Sequence, residues 1–279
     1  MVNDWTSNAE TPARVLILGA HPDDAEVSAG GLVVRHCHRG SEVRIISVTD
    51  GRSGHHELAA DELVRVRRQE ARQAGERVGA EYHVWDFPDG ALEPNLVVRS
   101  AIIREIREFA PDLVVTHRPH DYHPDHRAVG IAVQDASYMV TVPHVCPETP
   151  ALTKDPVVAY MGDLFTRPNP IRPDVLLDIT GEFDLVVQMA ACHASQFFEW
   201  LPYHDGLLEQ VPRGAEARHE WLSEWLRQRH HLRREHFQAS IVERGGKLEE
   251  QTLIEVYEIS EYARQPDADR LRILFPGSI

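Results

Sequence analysis

Two short polar clusters carry the residue types that could do chemistry in this chain. The first is His21-Pro22-Asp23-Asp24-Ala25-Glu26 and the second is His117-Arg118-Pro119-His120-Asp121-Tyr122-His123-Pro124-Asp125-His126. Each follows a short apolar run of buried-strand character, at residues 15–18 and 113–116. Parallel α/β sheets place their chemistry at the carboxyl ends of strands, so the two clusters can meet in space. His21, Asp24 and His126 then supply two imidazoles and one carboxylate. That is the donor set of a catalytic zinc site with a fourth position open to water. Fe²⁺, Co²⁺ or Mn²⁺ would suit the same donors. The expectation is one Zn²⁺ per chain.

Asp23, His123 and Asp125 remain for the work of hydrolysis. A carboxylate beside the metal can take the proton of an activated water, and Asp23 is placed for that. A histidine opposite can hold the oxyanion and protonate a leaving amine, and His123 fits. Asp125 or Asp121 would orient its ring and keep it cationic. The sequence leaves open whether Asp23 or His123 gives the leaving group its proton. Either cluster alone reads as a turn and helix cap; both together, each at a strand end, read as a metal site. A structural zinc would favour four closed, cysteine-rich ligands. His55-His56 and His230-His231 read as solvated pairs. Trp221 and Trp225, one helical turn apart, read as core or interface rather than a sugar platform. Cys192 lacks an evident base partner.

The elements that position these clusters alternate. Strands are expected at residues 15–20, 42–49, 82–87 and 112–116, with amphipathic helices at 28–39, 61–78, 96–109 and 127–139. Gly30-Gly31 would let the first helix pack closely, and no G-x-G-x-x-G dinucleotide fingerprint accompanies them. The charges on 61–78 read mostly as a solvated face. The pattern predicts an α/β, Rossmann-like, mostly parallel sheet with helices on both faces. Residues 141–156, with four prolines, are expected to wrap the site as a long loop. Strands at 157–161, 175–179 and 253–259 and helices at 183–200 and 215–236 form an elaborated C-terminal half. One domain over residues 1–279 is the simplest organisation, with 1–12 a flexible leader and about 200–279 an elaboration.

The bulk properties narrow the partners. A formal net charge of -15 argues against binding phosphate backbones or an anionic membrane surface. No apolar run approaches the roughly 20 residues of a membrane helix. Three cysteines, an odd number without metal spacing, read as reduced thiols of a cytoplasmic protein. The expected partner is a small molecule, with no nucleic acid and no membrane. Residues 141–156 and the Trp-bearing helix offer material for a homo-oligomer interface.

Ala20-His21-Pro22-Asp23-Asp24-Ala25-Glu26 together with Asp121-Tyr122-His123-Pro124-Asp125-His126 resembles the two signature motifs of the LmbE-like (PIG-L) deacetylases. The resemblance extends to Arg67-x-x-Glu70-x-x-x-Ala74-x-x-x-Val78-Gly79, Pro88-Asp89-Gly90 and His193-Ala194-Ser195-Gln196, so it spans most of residues 14–200. It implies a mononuclear zinc hydrolase that removes an N-acetyl group from N-acetylglucosamine or a related conjugate. The family's ligands fall on His21, Asp24 and His126, its base on Asp23, and its oxyanion or acid histidine on His123, with Asp125 behind it. There are departures: Val186 stands where a lysine often precedes the His-x-Ser-Gln segment. Asp121 stands where some members carry a tyrosine, and Tyr122 is one residue off. Arg67, Asp89, Asp121 and His193 are candidates for substrate contact, against a helix salt bridge, a turn and a packed polar residue for Arg67, Asp89 and His193. The alternative is a metal-dependent hydratase, lyase or other amidase acting on a small acidic substrate. Arg118 and Arg127 would then bind the anion.

Overall fold

The computed structural model describes residues 12–243 and 249–278. The expected leader, residues 1–12, lies outside the described residues but for its last. Five strands form a parallel run: β1 (Arg14–Gly19), β2 (Glu42–Thr49), β3 (Glu81–Phe87), β4 (Leu113–Thr116) and β5 (Val157–Met161). Two more, β6 (Val175–Asp178) and β7 (Ile254–Ile259), join antiparallel. The strand order is β3-β2-β1-β4-β5-β7-β6. The mostly parallel α/β expectation therefore holds.

The alternation of side chains along β1 shows why both faces need helices. Val15 and Ile17 point into one apolar cluster, and Leu16 and Leu18 into the other. The first cluster is covered by α1 (Asp24–His38), α2 (Ala60–Val78), α5 (Phe183–Cys192) and α7 (Ala215–His236); α6 (Leu201–His204) lies between α5 and α7 in sequence. The second is covered by α3 (Leu96–Phe109) and α4 (Pro124–Met139). Strands buried on both faces read as continuous apolar runs, which is what β1 and β4 are. Two short helices, α8 (Gln238–Glu243) and α9 (Ala268–Leu274), complete the chain.

The strand order places the two clusters together. Successive strands run outward from β1 to β2 and β3, then return across β1 to β4. β1 and β4 are therefore neighbours whose following loops go to opposite faces, and a crevice opens at such a switch point. Both helices after these strands start earlier than the apolar periodicity predicts. α1 starts at Asp24 rather than residue 28, and α4 at Pro124 rather than residue 127. Proline at the first helical position gives up a hydrogen bond that helix starts lack anyway. Gly130 lets α4 lie against the β4 exit, because an added Cβ there would stand 2.6 Å from the His117 carbonyl oxygen.

Gly31 lets α1 approach the sheet closely, with its amide donating to Glu255 of β7 at 2.7 Å, while Gly30 faces Val186 of α5. Two expectations about positions need correction. The segment 141–156 does not wrap the cleft. It is tied to the opposite cluster by buried Arg107, which donates to the carbonyls of Met139, Val140, Val142, Val145, Cys146 and Thr149 at 2.6–3.0 Å. The helix expected at 183–200 is α5 followed, after a break, by a π-helical turn over Gln196–Trp200.

Candidate metal centre and its cleft

The loop after β1 turns tightly. An added Cβ at Gly19 would come within 3.0 Å of Asp24 Cβ. The His21 amide donates to Asp24 Oδ2 at 2.7 Å, and the Asp24 amide donates to the His21 carbonyl at 3.3 Å. This closes a three-residue turn that aims both side chains the same way. Asp23, between them, has φ 138, a backbone region that costs an L residue about 1–3 kcal/mol. It is held there by its neighbours. Its amide donates to the Tyr82 hydroxyl at 3.2 Å. Arg67 Nη2 donates to Asp23 Oδ2 at 2.8 Å and also to the Pro22 carbonyl.

Across the crevice, His123 caps α4. Its Nδ1 accepts from the Asp125 amide at 3.2 Å. One turn in, His126 reaches back towards β1. Its Nε2 lies 3.3 Å from His21 Nδ1 and 3.3 Å from Asp24 Oδ1, while His21 Nδ1 lies 3.5 Å from Asp24 Oδ2. Ligand atoms around a tetrahedral ion at Zn–N distances of 2.0–2.1 Å stand about 3.3–3.4 Å apart. The donor types and the spacing of this trio fit Zn²⁺. Among the described residues three other trios of possible donors, Asp24/His117/His126, His21/His123/His126 and His21/Asp89/Asp125, share members with it and place His117, His123 and two more carboxylates close by.

The far side of each donor is braced. His21 Nε2 stands 3.1 Å from Asp89 Oδ1 and 3.3 Å from Asp125 Oδ2. His126 Nδ1 stands 3.1 Å from Asp121 Oδ1. Asp24 Oδ2 stands 3.0 Å from His117 Nε2, whose ring stacks on His126 at 3.9 Å. Carboxylates behind metal-binding imidazoles fix the ring and raise its basicity. The electrostatics agree. Burial works against a charged His126, but Asp24 and Asp121 outweigh it and carry the ring up to about 9. His21 is raised the same way, against its burial, by Asp125, Asp24 and Asp89. The carboxylates draw positive charge to the point where the trio converges. Burial pushes Asp23 up to about 6, with Arg67 pulling the other way.

The structure brings His21, Asp23, Asp24, Asp89, Asp121, His123 and His126 to one cleft of about 910 Å³. Several roles differ from expectation. Asp125 holds the His123 ring through its backbone amide and not its carboxylate; the carboxylate accepts from the Gly90 and Leu92 amides at 2.7 and 3.1 Å and backs His21. Asp121 likewise takes the His123 amide, not its ring. His123 is not held cationic, because burial and the neighbouring His21 and His126 lower its pKa. Asp89 and Asp121 brace the histidines, and Arg67 clamps Asp23. His193 does not reach the cleft. It is fully buried, 3.1 Å from Glu26 Oε1. Arg118 forms a two-pronged pair with Asp163, and Arg127 is held by the Asp121 and Tyr122 carbonyls. Arg118 is thereby neutralised, and Arg127 does not line this cleft.

Sequence reasoning also missed some residues. His117 lies in the second cluster but had no role assigned. Glu70 is buried on the same face of α2 as Leu63, Arg67 and Ala74, and accepts from the Ser195 amide and hydroxyl at 2.8 and 2.7 Å. The helical spacing of Arg67 and Glu70 with the apolar positions was the available signal. His55 and His56 are covered rather than solvated, with His56 stacked on Tyr203 at 3.9 Å, and His230 is buried. The outer wall of the cleft comes from beyond residue 200, including Trp225, Arg229 and Arg233. Trp225 meets the core expectation in part, packing on the first apolar cluster while also lining the cleft.

Residues 16–137 match the PIG-L family described as GlcNAc-PI de-N-acetylase. A diacetylchitobiose deacetylase of Thermococcus kodakarensis is 28% identical over 202 residues, 68% of this chain and 74% of the relative. A probable N-acetyl-alpha-D-glucosaminyl L-malate deacetylase of Bacillus cereus is 30% identical over 193 residues, 66% of this chain and 83% of the relative. A 4-oxalmesaconate hydratase of Pseudomonas putida is 26% identical over 76% of this chain and 84% of the relative. Among solved structures, an N,N'-diacetylchitobiose deacetylase of Pyrococcus horikoshii superposes with a TM-score of 0.67 at 21% identity, covering 94% of this chain and 92% of that one. No helix among the described residues is long and apolar enough to cross a membrane. With its two motifs at one switch point and these relatives beside it, the chain belongs to the LmbE-like PIG-L family.

Proposed function

We propose that this protein is a zinc-dependent hydrolase that removes an N-acetyl group from an N-acetylglucosamine-type amino sugar or its conjugate. One observation carries the reading: His21 Nδ1 and His126 Nε2 stand 3.3 Å apart, each within 3.5 Å of an Asp24 carboxylate oxygen, beside a second carboxylate, Asp23, that is left free for other work. In this reading His21, Asp24 and His126 hold the ion. When bound, it polarises the acetamide carbonyl and lowers the pKa of water.

The chain's own groups supply the rest. Asp23, clamped by Arg67, takes the proton of the attacking water. His123 stabilises the oxyanion. Its Nδ1 accepts from the Asp125 amide, so the neutral ring carries its proton on Nε2 and can donate it as a hydrogen bond. A neutral ring in that role does not also hold a proton for the leaving amine, so Asp23 returns the one it took. Asp89, Asp121 and Asp125 keep the ligand rings in place. Deacetylase relatives that span most of their length support the substrate class.

The test is a screen of N-acetylated amino sugars and their conjugates with the zinc-loaded protein, scored for released acetate. Turnover of none of them, with ultraviolet-detected hydration in a parallel panel of unsaturated acids, would replace this reading with the hydratase one.

A further inference from the structure

Four arginines line the cleft: Arg67, Arg118, Arg229 and Arg233. Two are neutralised at contact distance, Arg67 by Asp23 and Arg118 by Asp163. The other two stand one turn apart on α7 and have no carboxylate in contact among the described residues. Arg233 is 9% exposed. Its Nη1 donates to the Val27 carbonyl at 3.0 Å, while its Nε and Nη2 have no partner among the described residues and are not sealed from solvent. The nearby acid, Glu255, is already engaged, since its oxygens accept from the Gly31 and Leu32 amides and the Tyr257 hydroxyl at 2.7–3.0 Å. Arg229 lies with Cζ 4.1 Å above the Trp225 ring.

Two like charges at this helical spacing repel each other, and a guanidinium taken out of water with one carbonyl in contact and its nearest carboxylate, Glu255, at longer range is only partly compensated. In a chain of net charge -15, they face the same cleft as the candidate metal centre. A planar guanidinium matches carboxylate and phosphate oxygens two at a time.

We propose that Arg229 and Arg233 form an anion subsite, and that the substrate is an acidic conjugate: an N-acetylated amino sugar whose aglycone carries a carboxylate or a phosphate. This rests on the deacetylase reading and narrows its substrate. The subsite lies on the wall that follows residue 200, so the metal end of the cleft and the acid-recognising end come from different parts of the chain.

The test separates binding from turnover. The full-length, zinc-loaded Asp23→Asn protein is titrated calorimetrically with three probes: methyl N-acetylglucosaminide, its carboxymethyl counterpart and N-acetylglucosamine 1-phosphate. The expected result is that at least one acidic probe binds about tenfold or more tightly than the neutral one, as charge-assisted hydrogen bonds would give. That preference should shrink when Arg229→Gln or Arg233→Gln is added. The two acidic probes distinguish a carboxylate site from a phosphate site. Equal affinity for all three probes, or a preference that survives both substitutions, overturns the proposal. Arg229→Gln keeps the test decisive if the more buried Arg233→Gln fails to fold. Acetate release from the same probes by the wild-type protein is measured separately. If an Arg-dependent binding preference appears without acetate release, the deacetylase reading falls and the anion subsite stands.

Discussion

Arg67 holds Asp23 twice, through the side-chain carboxylate at 2.8 Å and through the carbonyl of the preceding Pro22. One guanidinium thereby fixes both the direction of a carboxylate and the unusual backbone, φ 138, that presents it. Arg67 is itself buried, on the face of α2 that packs inward.

Both contacts come from one nitrogen, Nη2, and a lysine at this position has a shorter stem and a buried, strongly hydrated point charge in its place. Arg67→Lys is expected to retain zinc, measured by elemental analysis, while kcat falls about 10²-fold through misplacement of Asp23. A KM that rises with kcat unchanged would show instead that Arg67 contacts substrate.

The site should divide cleanly under substitution. His21→Ala loses the metal. Asp23→Asn keeps it and loses about 10²–10⁴ in kcat, the usual range for a general base. Asp125→Asn, which leaves the ligands intact but loosens His21, weakens metal affinity about 10–100-fold. Zinc competition with a chromogenic chelator measures all three. Full metal content in His21→Ala would reassign the trio.

His230, on α7 beside the cleft-lining Arg229, supplies a pH dependence of stability. Its Nδ1 donates to the Ile254 carbonyl at 3.0 Å, and burial pushes its pKa down from about 6.5 to about 3. The folded state thus favours the neutral ring, whereas the unfolded chain protonates first as pH falls. The stabilisation is complete above about pH 6.5 and is lost progressively towards pH 3. His230→Asn should flatten the fall in melting temperature across that window. An unchanged acid limb would remove His230 as its cause.

Arg107→Met should destabilise the fold by about 3 kcal/mol or more, because six carbonyls at the end of α4 and along 141–156 lose a charged donor in a buried setting. Urea melts measure it. Activity per folded molecule should survive, since the segment does not line the cleft.

The sequence revealed the centre of the site better than its surroundings. His21, Asp23, Asp24, His123 and His126 were recognisable because short motifs at strand ends are local signals. That β1 and β4 are adjacent was not, because strand order is set by packing of whole helices on both faces. Partners were hardest to read. Asp125 lies two residues from His123 in sequence yet serves His21, because the α4 helix carries its side chain back across the crevice. Arg67 reads from sequence as a substrate contact or a helix salt bridge and Glu70 only as part of the α2 motif, since charge alone does not show that Asp23 and Ser195 wait on the inside. His193 shares a motif with Ser195 and Gln196, but its partner, Glu26, lies beneath the cleft floor rather than in it. Arg229 and Arg233 had no local motif at all.

Glu255 sits on β7, late in the chain, and its two oxygens hold amides inside α1, the helix that begins with Asp24. β7 also lies between β5 and β6 in the sheet. The portion that looked like an appendage is therefore a keystone: a chain ending near residue 200 would keep every signature motif, but β6 would lose its strand partner and α1 its internal brace. Motif content and self-sufficiency part company here, and a minimal fragment drawn around the motifs would be an incomplete machine.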